Sequence, residues 1–367
     1  MNRLQRLHEA GVSIWLDTLS RDLLDSGDFA SLIAGSAVTG ATSNPSIFAK
    51  AITGPSCYDE QLRASVASGV HDPQQLFFRI ALDDLRRAAD LLRPAYDASD
   101  GRDGFVSFEC TPDLADDTGA TITQALELWN RLALPNVMIK VPATSAGIPA
   151  IEELTAKGVN VNVTLLFSVA RHAQAIDAYI AGLERRVSAG QPVDAIASVA
   201  SFFVSRVDVK ADAQLPAGST LRGQVAIANT HVAYAQSLRR FADDRWRALH
   251  DAGAHPQRPL WASTGTKNPA YSDVLYVEKL VAPEVINTMP EVTMRAFADH
   301  GEVGEPLGQD AAMAEDTLRR AEEAGVDLAA ITAELEREGV NSFCDAYHEL
   351  LACIQTRLDG SSRAAST

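Results

Sequence analysis

Eight short, nearly continuous apolar runs recur along the chain, separated by longer stretches in which apolar positions return every three or four residues. The runs are Ser13–Asp17, Gly40–Ser43, Phe105–Glu109, Val137–Val141, Asn160–Phe167, Ala197–Val204, Leu260–Ser263 and Val285–Thr288. Most are rich in Val and Ile without strict alternation, the pattern of strands buried on both faces of a parallel sheet. The intervening stretches Pro73–Leu92, Thr118–Leu132, Ile148–Lys157, Ala170–Ala189 and Leu221–Ala252 are rich in Ala, Leu, Glu, Gln and Arg, which are good helix formers. Strand–helix alternation repeated about eight times predicts an α/β fold of the (β/α)8 TIM-barrel type. An open doubly wound sheet is the alternative, but no GxGxxG follows the first strand and no GxxxxGK[ST] occurs.

Additional helices are expected at the N-terminus, between strands six and seven in Ser205–Pro259, and at the C-terminus in Glu302–Leu358. Gly360–Thr367 reads as a frayed tail. No low-complexity linker divides the chain, so residues 1–367 are expected to form a single elaborated barrel domain.

Composition narrows the class of partner. Of 367 residues, 46% are hydrophobic and 22% charged, an ordinary globular balance that excludes a largely disordered chain. Lys and Arg number 32 against 48 Asp and Glu, a net charge of −16. Such a surface repels phosphate backbones and anionic membranes, so no nucleic-acid or membrane partner is expected. Anionic small substrates would need a local basic pocket. Cys57, Cys110, Cys344 and Cys353 follow no metal-binding spacing, with or without the eight histidines, and fit a reducing compartment. The charged N-terminus lacks a signal-peptide core, and no apolar stretch reaches the roughly 18 residues of a membrane span. A cytoplasmic protein without metal or organic cofactor is the expectation.

The chemistry lies in polar residues that interrupt the apolar runs. Around Lys140, strand parity puts Val137, Ile139 and Val141 on one face, and Met138 and Lys140 on the other. An ammonium buried in such a strand is costly. Lys140 either reaches out from the strand end or pairs with a carboxylate, or it is a desolvated amine of lowered pKa that attacks a carbonyl and forms a Schiff base. Asp17 and Glu109 end two strands, Asn162 and Thr164 share a face of the fifth, Ser201 interrupts the sixth, and Asn44 follows the second just before Pro45. Each has a local explanation: Asp17 as a helix cap, Asn44 as an Asx turn, Ser201 as a partner for a backbone carbonyl. Their coincidence at strand ends is what one barrel mouth would collect. Schiff-base aldol chemistry needs a base for the hydroxyl beside the breaking carbon–carbon bond, and an acid to remove the carbinolamine hydroxyl, commonly through water. Asp17 fits the first task and Glu109 the second.

Three segments carry a resemblance to the transaldolase family. GATSNPSIF, from Gly40 to Phe48, resembles its asparagine–proline motif; VMIKVPATSAG, from Val137 to Gly147, resembles the segment bearing its Schiff-base lysine; and NVNVTLLFS, from Asn160 to Ser168, resembles its fifth-strand motif. Matching stretches run in family order from Asp17 to about Ala282. The resemblance implies reversible transfer of a dihydroxyacetone unit from sedoheptulose 7-phosphate to glyceraldehyde 3-phosphate, giving erythrose 4-phosphate and fructose 6-phosphate, in the non-oxidative pentose phosphate pathway. It makes Lys140 the nucleophile, Asp17 the base, and Glu109 with Thr164 the pair that activates the catalytic water. Asn44, Asn162 and Ser201 would hold the hydroxyls of the three-carbon unit. Arg206 and Lys267 would bind phosphate, with Lys267 standing where many relatives have arginine, and Ser263 would add a hydroxyl donor. No metal or cofactor is implied, and a homodimer is a common family assembly.

A fructose 6-phosphate aldolase is the nearest rival, but the carboxylate of Glu109 is the transaldolase pattern. A pyridoxal-phosphate enzyme also joins a lysine to a carbonyl. From another class, an inactive barrel could bind sugar phosphates as a scaffold.

Overall fold

The eight apolar runs pair with their sequence neighbours, and the last closes on the first. In the computed structural model, which describes residues 1–43, 48, 49, 52 and 56–364, the strands are β1 (Val12–Leu16), β2 (Val38–Thr42), β3 (Val106–Glu109), β4 (Val137–Pro142), β5 (Val161–Leu166), β6 (Ser198–Phe203), β7 (Arg258–Ala262) and β8 (Val285–Met289). All pairings are parallel, and β1 lies between β2 and β8 to complete the barrel. Every residue of β1, β3, β4, β5, β6 and β8 is buried, which explains why these strands read as apolar runs and not as alternating ones.

The helices begin where the sequence supplies caps. Asp72, Asp117 and Ser168 each accept a hydrogen bond from a backbone N–H in the first turn of Pro73–Ala98, Thr118–Leu132 and Val169–Ser188. Gly182 lets two barrel helices approach closely: a Cβ there would lie 2.6 Å from the Glu152 carbonyl oxygen and from Thr155 Cβ.

The additional helices lie where the sequence placed them, with two differences. The stretch Leu221–Ala252 is two helices, Val225–Arg240 and Asp244–Asp251, because Asp243 caps the second by accepting from Trp246 N. Trp246 and Leu249 then join a separate apolar cluster with Ile176, Tyr179 and Ile180. The last helix, Leu328–Ala364, continues past Gly360, so the segment expected to fray starts as helix.

This last helix runs along the C-terminal rim of the barrel. It is tied there by Arg171–Glu336 at 3.3 Å, Lys210–Glu338 at 2.8 Å and Arg357–Asp59 at 2.8 Å. Gly339 brings it onto Leu165, whose Cδ2 lies 2.9 Å from the position a Cβ would take. The opposite end of the barrel is closed by polar groups. Trp15 Nε1 donates to Asp103 Oδ1 at 2.8 Å, and Arg258 donates to Ser13 Oγ at 2.7 Å and to the Arg102 carbonyl at 2.9 Å. Gly40 leaves the room that the Trp15 ring occupies. With the floor filled, the open end is the C-terminal mouth, where enzymes of this architecture carry their chemistry.

Candidate active site

Lys140 lies on the inner face of β4 and is 5% exposed. The register pairs it with Glu109 of β3 on one side and Asn162 of β5 on the other, so all three project from one level of the barrel. Its Nζ is 3.6 Å from Glu109 Oε2 and donates to the Ser43 carbonyl at 3.4 Å.

Burial pushes the Glu109 carboxyl up to about 7, against the opposing pull of the Lys140 cation and with a further push from the negative charge of Asp17. Glu109 Oε2 has no hydrogen-bond partner among the described residues, and neither has the buried Thr164 Oγ1. These two orphaned oxygens come from the strands on either side of Lys140, with Thr164 in register with Pro142. Just beyond Thr164 the β5–β6 register shifts, and Leu165 takes a left-handed backbone with φ 58°. Such a bulge re-aims side chains at a barrel rim.

Asn162 and Ser201 form a chain with Ser107. Asn162 Nδ2 donates to Ser107 Oγ at 3.0 Å across β4, which requires both to point into the lumen, and Ser201 Oγ donates to Asn162 Oδ1 at 2.7 Å.

Asp17 follows β1 directly, its N–H bonded to the Met289 carbonyl at 2.9 Å. Thr42 Oγ1 donates to Asp17 Oδ1 at 2.9 Å. Burial pushes the Asp17 carboxyl up from its ordinary value; Lys140, the Thr42 hydrogen bond, Lys267 and Arg206 each pull it down. Both basic residues therefore send their field into the same mouth. Arg206 is half-buried, its guanidinium 5.6 Å from the centre of the Phe203 ring. Lys267 is exposed. The Glu338 and Asp17 carboxylates act on Arg206 through space, and Lys267 also acts on Asp17. Ser263, at the end of β7 with φ 55°, shares a hydrogen bond of 3.0 Å with Ser205, the residue before Arg206. Asn44 lies outside the described residues.

The structure thus gathers Lys140, Glu109, Asp17, Thr164, Asn162 and Ser201 at one end of the barrel, with Arg206 and Lys267 close enough to act on Asp17. Sequence reasoning missed Ser107, Thr42 and Thr288. Ser107 interrupts an apolar strand as Ser201 does, and Thr42 shares its parity with inward-facing Gly40, so both carried the signal used elsewhere. Among the described residues no group of three or more His, Cys, Asp or Glu is placed to hold a metal, and no helix is long and apolar enough to cross a membrane.

Residues 14–354 match the family model described as Transaldolase/Fructose-6-phosphate aldolase, and the chain belongs to that family. It is 49% identical to the "Transaldolase" of Saccharopolyspora erythraea and 48% identical to that of Mycolicibacterium smegmatis, in each case over 98% of both chains. The "Transaldolase" of Thermobifida fusca is 47% identical over 97% of this chain and 98% of its own.

Proposed function

We propose that this enzyme is a transaldolase that moves a dihydroxyacetone unit between sugar phosphates, taking it from sedoheptulose 7-phosphate to glyceraldehyde 3-phosphate and releasing erythrose 4-phosphate and fructose 6-phosphate, reversibly. The observation that carries this reading is the buried amine of Lys140 standing 3.6 Å from the Glu109 carboxyl, inside a barrel mouth that also holds Asp17.

In this mechanism Lys140 Nζ gives up a proton and attacks the C2 carbonyl of the ketose, forming a carbinolamine. Glu109, protonated near neutral pH because it is buried, passes a proton through a water held with Thr164, and the carbinolamine hydroxyl leaves as water. The resulting iminium draws electrons from the C3–C4 bond while Asp17 takes the proton of the C4 hydroxyl, and the aldose departs. The three-carbon unit stays on Lys140 as its enamine, its hydroxyls held by Asn162, Ser201 and Asn44. An incoming aldehyde reverses the sequence. Arg206 and Lys267, with Ser263 beside them, bind the substrate phosphate.

The whole chain acts as one barrel domain in the cytoplasm, with sugar phosphates and neither nucleic acid nor membrane as its partners; light scattering tests the homodimer expected of the family. Borohydride trapping with fructose 6-phosphate, followed by peptide mass spectrometry, tests the central claim. A reduced three-carbon adduct on Lys140 is expected. Absence of an adduct on folded protein would return the chain to a sugar-phosphate-binding scaffold.

A further inference from the structure

Asp17 is reached by two hydroxyls in series. Thr42 Oγ1 is 2.9 Å from Asp17 Oδ1 and also 2.9 Å from Thr288 Oγ1. Thr42 comes from β2 and Thr288 from β8, and β1 lies between them, so this chain crosses the inner face at the end of β1 where Asp17 stands. Both threonines are buried, at 2% and 3% exposure, and water does not compete for their protons.

A hydroxyl has one proton to give, and an ionised carboxylate only accepts. With Asp17 ionised, Thr42 donates to Oδ1 and offers only lone pairs to Thr288. Thr288 must then donate to Thr42. The charge on Asp17 therefore fixes the direction of both hydroxyls, and bonds aligned in series strengthen one another. Threonine in a strand has a restricted χ1, so neither hydroxyl turns away cheaply. Thr42 engages Oδ1, which leaves Asp17 Oδ2 for the substrate proton.

We propose that Thr42 and Thr288 form a two-hydroxyl relay that positions the Asp17 carboxylate and holds it in its basic form. This rests on the reading of Asp17 as the base of the cleavage step. Both threonines are positioning residues, acting through Asp17 and not on the sugar. The charged groups facing Asp17 are Lys140 from β4, Glu109 from β3, Arg206 after β6 and Lys267 after β7. What β2 and β8 present to it is hydroxyls, so variants at positions 42 and 288 leave every charge in the mouth unchanged.

The test is single-turnover release of glyceraldehyde 3-phosphate from fructose 6-phosphate across pH, run beside borohydride trapping at Lys140. Thr42→Val should trap as the parent does, release the aldehyde about tenfold more slowly, and move the acid limb of the release rate up by about 1 pH unit, because a donor to the charged form is gone. Thr42→Ser should restore both. Thr288→Val, which leaves Thr42 in place, should move the limb the same way by less and reads the relay even if Thr42→Val folds poorly. An unmoved limb in Thr42→Val, an equal loss of trapping and release, or a silent Thr288→Val overturns the relay. Asp17→Asn in the same assay separates the two levels: slow release there with normal release in Thr42→Val sinks only the relay, whereas parental release in Asp17→Asn sinks the base assignment itself.

Discussion

Glu109 Oε2 and Lys140 Nζ face each other at 3.6 Å on adjacent strands, where the register makes them direct partners. Lysine pulls the carboxyl down and burial pushes it up, and burial wins: Glu109 reaches about 7. Below that value the group carries a proton, which the proposed mechanism gives to the carbinolamine; above it, the proton is gone.

The rate of Schiff-base formation, followed by trapping, should therefore fall on the alkaline side with a midpoint near 7. Glu109→Gln has no titratable proton. It should lose that limb and form the adduct roughly a hundredfold more slowly, or worse, on the scale of acid–base catalysis. An alkaline limb that survives in Glu109→Gln belongs to another group and removes Glu109 from this role.

Asp17→Asn separates attachment from cleavage. The amide keeps an oxygen for Thr42 but takes no proton from the sugar. Trapping of an intact six-carbon adduct from fructose 6-phosphate should persist, while aldehyde release slows by about a hundredfold or more. Mass spectrometry of the reduced peptide reads the difference directly, since a six-carbon adduct replaces the three-carbon one. Full activity in Asp17→Asn would remove it as the base.

Arg206 and Lys267 make distinct predictions because they differ in burial. Arg206 is half-buried with a planar fork that suits phosphate, and Lys267 is an exposed point charge. Arg206→Ala should raise KM for fructose 6-phosphate by about tenfold or more, and Lys267→Ala by less, with the Lys267 contribution fading as salt rises. With unphosphorylated fructose as donor neither change should matter. A KM for fructose 6-phosphate unaltered in Lys267→Ala would take that residue out of the phosphate site.

The legibility of this protein from its sequence divides along physical lines. Burial on both faces made most strands apolar runs, so the strands and the order of the barrel could be read directly. Lys140, Glu109 and Asp17 were visible because a charge in such a run is expensive and needs a reason. Hydroxyls carry a weaker signal: Thr42, Ser107 and Thr288 fit a strand on propensity alone, and only the lumen geometry shows what they bond. Leu221–Ala252 read as one helix because its composition is uniform, while the break depends on Trp246 and Leu249 finding a different cluster from the helix before them. Asn44, read from its motif, lies outside the described residues.

The floor of the barrel was invisible in sequence for another reason: its partners are far apart in the chain. Arg258 is 11% exposed, makes its hydrogen bonds to Ser13 and to the Arg102, Glu284 and Val285 carbonyls, and has Asp103 as a carboxylate at 3.9 Å. Asp103 also accepts from Ser13 Oγ and Trp15 Nε1. Asp103→Ala strips the guanidinium of the first of its two counter-charges, leaving Glu284, and leaves a buried indole N–H unpaired. Removing one member of a buried ion pair costs about 3–5 kcal/mol, and denaturant unfolding should show a loss of that order. The damage lies at the end of the barrel opposite Lys140, so the fraction that remains folded should trap fructose 6-phosphate at the parental rate. A trapping rate per folded molecule that falls in step with stability would mean that the floor and the mouth move together, contrary to the separation the strand geometry implies.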